Sequence, residues 1–314
     1  MPWEVIGNVL LEATISEALK GGYKLFQDHV QPWITAKLAG AYAERYLLLT
    51  SPQLCDFYYA ETPLSYTFGR SQYRLPMSLL IAPTTDGPAT EEKIRIKTTT
   101  IPFTVPQRIS IYTTPLLEYL RTGKDSRLFD GQVVSLRSVS KNEVGEWELM
   151  VATGSYFEGL ATNLAMDHRP RNLTQSLRMF ISGENGQLGN IAKSPLVNHM
   201  GVICMVESQD GMLVVQERSA NVANRPNTLS SSVSGALDWS DVCSQSEWAI
   251  EGLSMGILRE SFEELGVKPE NVWFLGLVRE YLRGGKPEVY FYAKSDCTFY
   301  EIEAKRKTAK DRKE

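Results

Sequence analysis

Residues 259–267 read Arg259-Glu260-Ser261-Phe262-Glu263-Glu264-Leu265-Gly266-Val267, and Glu251 lies eight positions before Arg259. Helical spacing organises the stretch. Met255, Leu258, Phe262 and Leu265 recur at steps of three, four and three, which predicts one apolar stripe, while Glu260, Glu263 and Glu264 fall on a different face at i, i+3 and i+4. Gly266 suits the left-handed position that ends a helix. Like charges at these spacings cost roughly 0.2–0.5 kcal/mol per pair. Arg259 can pair with Glu263 but leaves two carboxylates uncompensated, and a divalent cation would supply the missing charge. An all-oxygen ligand set selects Mg²⁺ or Mn²⁺ over zinc, and Mg²⁺ commonly bridges carboxylates to phosphates. The implied substrate therefore carries a phosphate or diphosphate, and metal-activated water attacking phosphorus makes the implied chemistry hydrolytic.

A glutamate-rich helix face is commonly no more than solvated. The whole pattern R-E-x-x-E-E-x-G-apolar is rarer, with odds on the order of one in a few thousand from ordinary residue frequencies. It resembles the box of the Nudix hydrolases, G-x5-E-x7-R-E-U-x-E-E-x-G-U with U apolar. Glu251 to Arg259 reproduces E-x7-R, and Arg259 through Val267 reproduces the rest except Ser261, where an aliphatic residue is usual. The resemblance implies an α/β/α sandwich with a mixed sheet, and catalytic roles for Arg259, Glu260, Glu263 and Glu264. The three box glutamates would ligate the metal, Arg259 would orient them by a salt bridge, and Glu251 would be a supporting or outer metal ligand.

The box places its first glycine at position 245, which is Gln245 here; the nearest candidate is Gly235. The spacing then reads as a ten-residue insertion from about Leu237 to Trp248, with the Gly235 carbonyl still a metal ligand and the inserted loop over the substrate. Arg218 stands where such proteins often keep a basic residue at the end of the second strand, and is the candidate substrate-binding residue. The stretch Tyr156-Phe-Glu-Gly-Leu-Ala-Thr-Asn163, the insertion and Leu275-Gly-Leu-Val-Arg-Glu280 resemble a smaller branch that splits UDP-glucose and UDP-galactose into UMP and sugar 1-phosphate. The Nudix resemblance covers about Leu196 to the C-terminus, and that of the branch reaches back to about Leu128. Nudix domains ordinarily continue past the strand at Glu288–Ala293 with a loop, another strand and a final helix, so a shortened end is implied. Glu280, Glu288, Glu301 and Glu303 are candidates for the further catalytic glutamate that the loop often carries, and spacing does not choose among them.

The chain has 314 residues, about twice a typical 150-residue domain, which accommodates more than one unit. The expected fold is α+β: residues 1–125 as a mixed helix and strand region, 126–195 as an accessory segment, and 196–314 as the Nudix-like domain. Lys plus Arg number 33 against 37 for Asp plus Glu, a net charge of -4, which excludes a general nucleic-acid or anionic-membrane binder. Cys55, Cys204, Cys243 and Cys297 are scattered and form no C-x-x-C, so a reducing, cytoplasmic setting is expected rather than a disulfide framework or thiolate zinc site. His29, His168 and His199 form no H-E-x-x-H pair and read as structural. No apolar run is long enough to span a bilayer, and Glu4 stands where a signal peptide would be basic.

Helical patterns fill Met1 to about Gln53, with a second candidate at Ile34–Leu48. Met77–Ala82, Lys93–Lys97, Gln132–Ser138 and Trp147–Thr153 read as strands. Val202–Val206 and Met212–Gln216 read as a hairpin about Asp210-Gly211, followed by a loop from Ser219 to Asp241 that leads into the box helix. Val272–Val278 and Glu288–Ala293 read as the last strands, and Glu301–Glu314 as a solvated helix or frayed tail.

The leading expectation is Mg²⁺- or Mn²⁺-dependent hydrolysis of a nucleoside diphosphate linked to another group, with a UDP-sugar preferred. The main rival is a Nudix-like nucleotide sensor without turnover, coupled to a protein partner through the N-terminal region. A third reading is structural, with the glutamates serving solubility and the N-terminal helices pairing in a homodimer.

Overall fold

The computed structural model describes residues 51–82, 94–122, 129–170, 172–183, 186–217, 229–243 and 249–311, with backbone alone at 51, 68 and 249–251. The helices expected before residue 49, and Arg218, lie outside these residues. The chain opens with α1 (Ser51–Phe57), β1 (Ser65–Phe68), β2 (Ser71–Arg74), β3 (Met77–Ile81) and β4 (Ile94–Thr98). There follow α2 (Ser110–Arg121), β5 (Gln132–Lys141), β6 (Trp147–Ser155), α3 (Tyr156–Ala161) and α4 (Leu177–Ser182). The remainder is β7 (Gly201–Glu207), β8 (Gln216–Glu217), β9 (Leu229–Ser230), β10 (Val233–Ala236), α5 (Trp239–Cys243), α6 (Ala249–Leu265), β11 (Asn271–Glu280), β12 (Lys286–Lys294) and α7 (Phe299–Arg306). The class is α+β. No helix among the described residues is long and apolar enough to cross a membrane.

Two sheets carry the architecture. The larger runs β10-β7-β12-β11-β3, antiparallel throughout except for the parallel pair β7 and β12, so it is mixed. One edge strand, β3, comes from residues 77–81 and pairs Met77 with Glu280 at the far end of β11. The smaller sheet runs β4-β6-β5. Alternation explains how they join. Val202, Cys204 and Val206 of β7 point into the same buried cluster as Val134 and Leu136 of β5 and Ile94 of β4, with Leu253, Ile257 and Leu265 of α6 among them. Backbone bonds close the seam, since Val134 donates to Leu237 and Leu136 to Asn198, while Met200 donates back to Val134. The exit of β10 is thereby held against β5, and the box helix is wedged beside it.

Three expectations are corrected. The expected hairpin of 202–216 forms at its turn, where Ser208 donates to Met212 and Val214 to Val206 about the Glu207–Leu213 bridge, but it is short, and Gln216-Glu217 pairs instead with Leu229-Ser230. The antiparallel neighbour of β7 is β10, inside the segment read as a loop. Ser232 lies against both arms, since its hydroxyl accepts from the Val206 amide (2.7 Å) and donates to the Val214 carbonyl, and the two arms pair no further than these residues. The apolar stripe of α6 is also displaced. Leu253, Ile257, Ser261 and Leu265 are buried, whereas Met255 and Phe262 are exposed and the Lys268 ammonium lies over the Phe262 ring.

Candidate functional site

The four box residues stand on the last two turns of α6, which ends where expected: Gly266 has φ +73°, and its amide donates to the Phe262 carbonyl. A side chain at 266 would also press into the Lys305 backbone, so the glycine admits both the helix exit and the close approach of α7. Opposite α6, β10 supplies Ser234 and Gly235, and the turn after it supplies Asp238 and Asp241 at the start of α5. Residues Lys310 and Asp311 close the remaining side, with the Asp311 amide donating to the Glu263 carbonyl at 2.9 Å.

Arg259 is the hub. Its guanidinium donates to both Asp241 oxygens (3.2 and 2.9 Å), to Glu260 Oε1 (2.9 Å), to Glu263 Oε2 (3.2 Å) and to the Ala236 carbonyl (3.1 Å), with Asp238 at 3.7 Å. Burial works against its charge, yet the Asp241 and Glu260 carboxylates outweigh this and hold it protonated far above any working pH. The expected Arg259–Glu263 pair is present, and Glu260 is compensated as well. Glu263 is also bound through Oε1 by the Lys310 ammonium at 2.6 Å. Its partial burial favours the neutral acid, but Lys310 and then Arg259 reverse this and place its carboxyl below the ordinary value. Asp238 moves the other way, raised by burial and by the Asp241 and Glu263 charges against the opposing Arg259.

Glu260 and Glu264 face the strand. A Cβ on Gly235 would coincide with the Glu260 carboxylate, so glycine here leaves that carboxylate its place against β10. Glu264 is buried, accepting from Gln216 Nε2 (2.6 Å) and from the Ser234 amide (3.3 Å). Glu251 lies in α6 two turns before Arg259, and its side chain is outside the described residues. The four further glutamates are engaged elsewhere or exposed. Glu280 pairs with Arg283 (3.4 Å), Glu288 with Lys286 (2.6 Å) and Arg283 (3.1 Å), Glu301 caps α7, and Glu303 is exposed.

Asp238, Asp241, Glu260, Glu263 and Glu264 set five carboxylates against Arg259 and Lys310. With all of them ionised the site carries an excess of three negative charges. This oxygen-only, electron-rich donor set suits a hard divalent cation by its chemistry. Among the described residues, however, no three His, Cys, Asp or Glu side chains stand grouped so as to hold a metal. The carboxylates are drawn instead to Arg259, Lys310 and Gln216.

Sequence reasoning missed Asp241, Asp238, Gln216 and Lys310. The first two had a local signal: Asp238-Trp-Ser-Asp241 has the spacing of a helix start, and the Asp238 amide donates to Asp241 Oδ2 at 3.0 Å. Reading the segment as an insertion concealed it. Gln216 and Lys310 reach the site from 48 and 47 positions away from their glutamates, with no local pattern to mark them.

Neither family models nor curated proteins match this chain. Among solved structures, that of DR0079 from Deinococcus radiodurans aligns with a TM-score of 0.24 at 24% identity, over 32% of this chain and 57% of that one. The alignment thus spans little more than half of that protein, and a likeness so slight carries no weight for fold or function.

Proposed function

We propose that the protein is a Nudix-type hydrolase that cleaves the diphosphate of a nucleoside diphosphate linked to another group, a UDP-sugar giving UMP and sugar 1-phosphate being the preferred substrate. The observation that carries this is the convergence of Arg259, Glu260, Glu263 and Glu264 of the box with Gly235 of β10 and the Asp238–Asp241 turn. The larger mixed sheet, with α6 packed beside β10 and β7, is then one layer of an α/β/α sandwich.

A bound Mg²⁺ or Mn²⁺ would neutralise the diphosphate oxygens and acidify a water for attack at phosphorus. Glu260, Glu263 and Glu264 would hold it, with Glu251 and the Gly235 carbonyl as further ligands. The chain's own part is positioning. Arg259 fixes the carboxylates of Glu260 and Glu263 while Asp241 fixes Arg259, so the donors are oriented before substrate arrives. Gln216 holds Glu264 from the opposite side. Arg218 is proposed to meet the substrate, and residues 1–125 to meet a second copy or a protein partner.

The test is a panel of UDP-sugars, ADP-ribose, dinucleotides and nucleoside triphosphates incubated with pure protein and Mg²⁺, with products separated by chromatography. Nucleoside monophosphate release supports the proposal; every substrate surviving prolonged incubation overturns it. A non-catalytic nucleotide sensor is the second reading. It is favoured by the engagement of both Glu263 oxygens with cations, and saturable nucleotide binding without products would establish it.

A further inference from the structure

A second concentration of charge lies on the face of the larger sheet turned away from α6. Val202 and Val289 pack in the core cluster that α6 shares, so strand alternation turns their neighbours Gly201 and Glu288 to the other side. Gly201 is in register with Glu288 of β12 and with Ala236 of β10. Glu288 is buried, and its Oε1 accepts from both the Lys286 ammonium (2.6 Å) and the Arg283 guanidinium (3.1 Å). Lys286 is buried too, and Arg283 lies 3.4 Å from Glu280. Two cations thus balance two carboxylates, which favours a neutral ligand over an anion or a cation. Hydrogen-bonding capacity is left over. Glu288 Oε2 stands over Gly201 beside the Lys286 ammonium and accepts no bond among the described residues. Lys286 spends one of its three donors on Glu288. Asn198, fully buried, has an Nδ2 with no partner among the described residues, while its Oδ1 accepts from Asn163, which also donates to the Arg283 carbonyl. Buried polar atoms are ordinarily satisfied, so this surplus of donors and acceptors calls for a polar occupant. The base of the cluster is buried, whereas Arg283, Tyr290 and Ala236 around it are half-buried.

We propose that the Arg283–Lys286–Glu288 cluster binds the sugar of the nucleotide sugar, with adjacent hydroxyls donating to Glu288 Oε2 and accepting from Lys286. A hydroxyl both donates and accepts, so a pair of them meets this mixed set without adding charge. The inference rests on the hydrolase reading, which puts the diphosphate at the box. The placement suits one ligand reaching both. β10 is an edge strand whose Gly235 faces the box glutamate Glu260 while its neighbour Ala236 shares the face of Glu288. Glu288 lies two strands from β10, about 10 Å across the sheet, a span that a nucleotide sugar bent round this edge covers.

The test is calorimetric titration, with Mg²⁺ present, of UDP and UDP-glucose that each carry a methylene group between the phosphorus atoms, which blocks hydrolysis. The wild type is expected to bind the UDP-glucose analogue about ten-fold more tightly than the UDP analogue, the worth of a hydrogen bond to a charged group. Gly201→Ala puts a methyl where the Glu288 carboxylate and Lys286 ammonium now lie, and both are far ends of flexible side chains, so they shift rather than unfold the strand. That variant should bring the two affinities close to parity with the UDP analogue bound as in the wild type. Glu288→Gln disturbs the cluster independently and should do the same, so either variant that keeps its melting transition decides the matter. No preference in the wild type, a wild-type ratio kept in the variants, or an equal loss for both ligands overturns the sugar site, leaving the cluster to ordered water or to the fold, while the hydrolase reading stands. If neither analogue binds the wild type, the nucleotide reading falls and this inference with it.

Discussion

Ser261 is one of two positions, with Gln245, at which the chain departs from the pattern its box resembles, and its environment shows what the departure does. The hydroxyl is fully buried on the core side of α6 with no hydrogen-bond partner among the described residues, where an aliphatic residue would fill the same space without a polar atom. Replacing it removes a desolvated donor and slightly favours the helix. Ser261→Ala is expected to stabilise the protein by about 1 kcal/mol, read as a higher denaturant midpoint at constant slope. A lower midpoint would mean that the hydroxyl has a partner. At this scale the sequence was informative where chemistry repeats locally: the Arg259–Glu263 pair follows from i, i+4 spacing alone. It was silent on Lys310, because an ion pair joining distant segments leaves no trace in either one.

Between elements, the decisive contact is β10 against α6. The strand approaches so closely that Gly235 has no room for a Cβ beside the Glu260 carboxylate. Because a carboxylate is the movable end of a flexible side chain, Gly235→Ala should displace Glu260 rather than unfold the protein. We expect activity to fall on the order of 10²-fold, the usual consequence of misplacing a catalytic group by about 1 Å, with little change in melting temperature. Retained activity would place Glu260 outside the machinery. The end of α6 at Gly266 was legible, since a glycine after the last apolar residue has a steric reason to be there. Its buried face was not. Period alone allowed Met255 and Phe262 to share the stripe with Leu258 and Leu265, but β10 and β7 approach from the side of Leu253 and Ile257. The β7–β10 pairing was hidden for a similar reason, as the turn signal at Asp210-Gly211 marks a turn that does form but whose second arm leaves β7 after Val214, giving the long ladder to β10.

For the whole molecule, the strands that build the larger sheet are drawn from residues 77 to 294, so local patterns could mark the strands but not their order. Arg178 illustrates the same limit. Fully buried, it binds Asp167 through two bonds (2.6 and 2.8 Å) and also Tyr58 and the Tyr281 and Leu282 carbonyls, joining α1 to the end of β11. Nothing in the sequence near Arg178 marks that role. Two of the histidines read as structural, His168 and His199, are buried. Burial lowers both below the ordinary histidine value, and Lys286 and Arg283 lower His199 further. Below about pH 6.5 the unfolded chain therefore binds protons that the folded protein refuses, so stability is lost as pH falls, by up to about 1.4 kcal/mol per pH unit for each histidine. Melting temperature should drop between about pH 7.5 and 5.5, and less steeply in His199→Gln; a flat profile would contradict neutral burial.

The most direct measurement is Mg²⁺-dependent UMP release from UDP-glucose by the wild type and by Glu263→Gln, each with and without a chelator. Release that requires metal and is lost in Glu263→Gln, while the variant keeps its fold, is the predicted result. Equal release by both proteins, or release that survives the chelator, would contradict a hydrolase built on the box carboxylates.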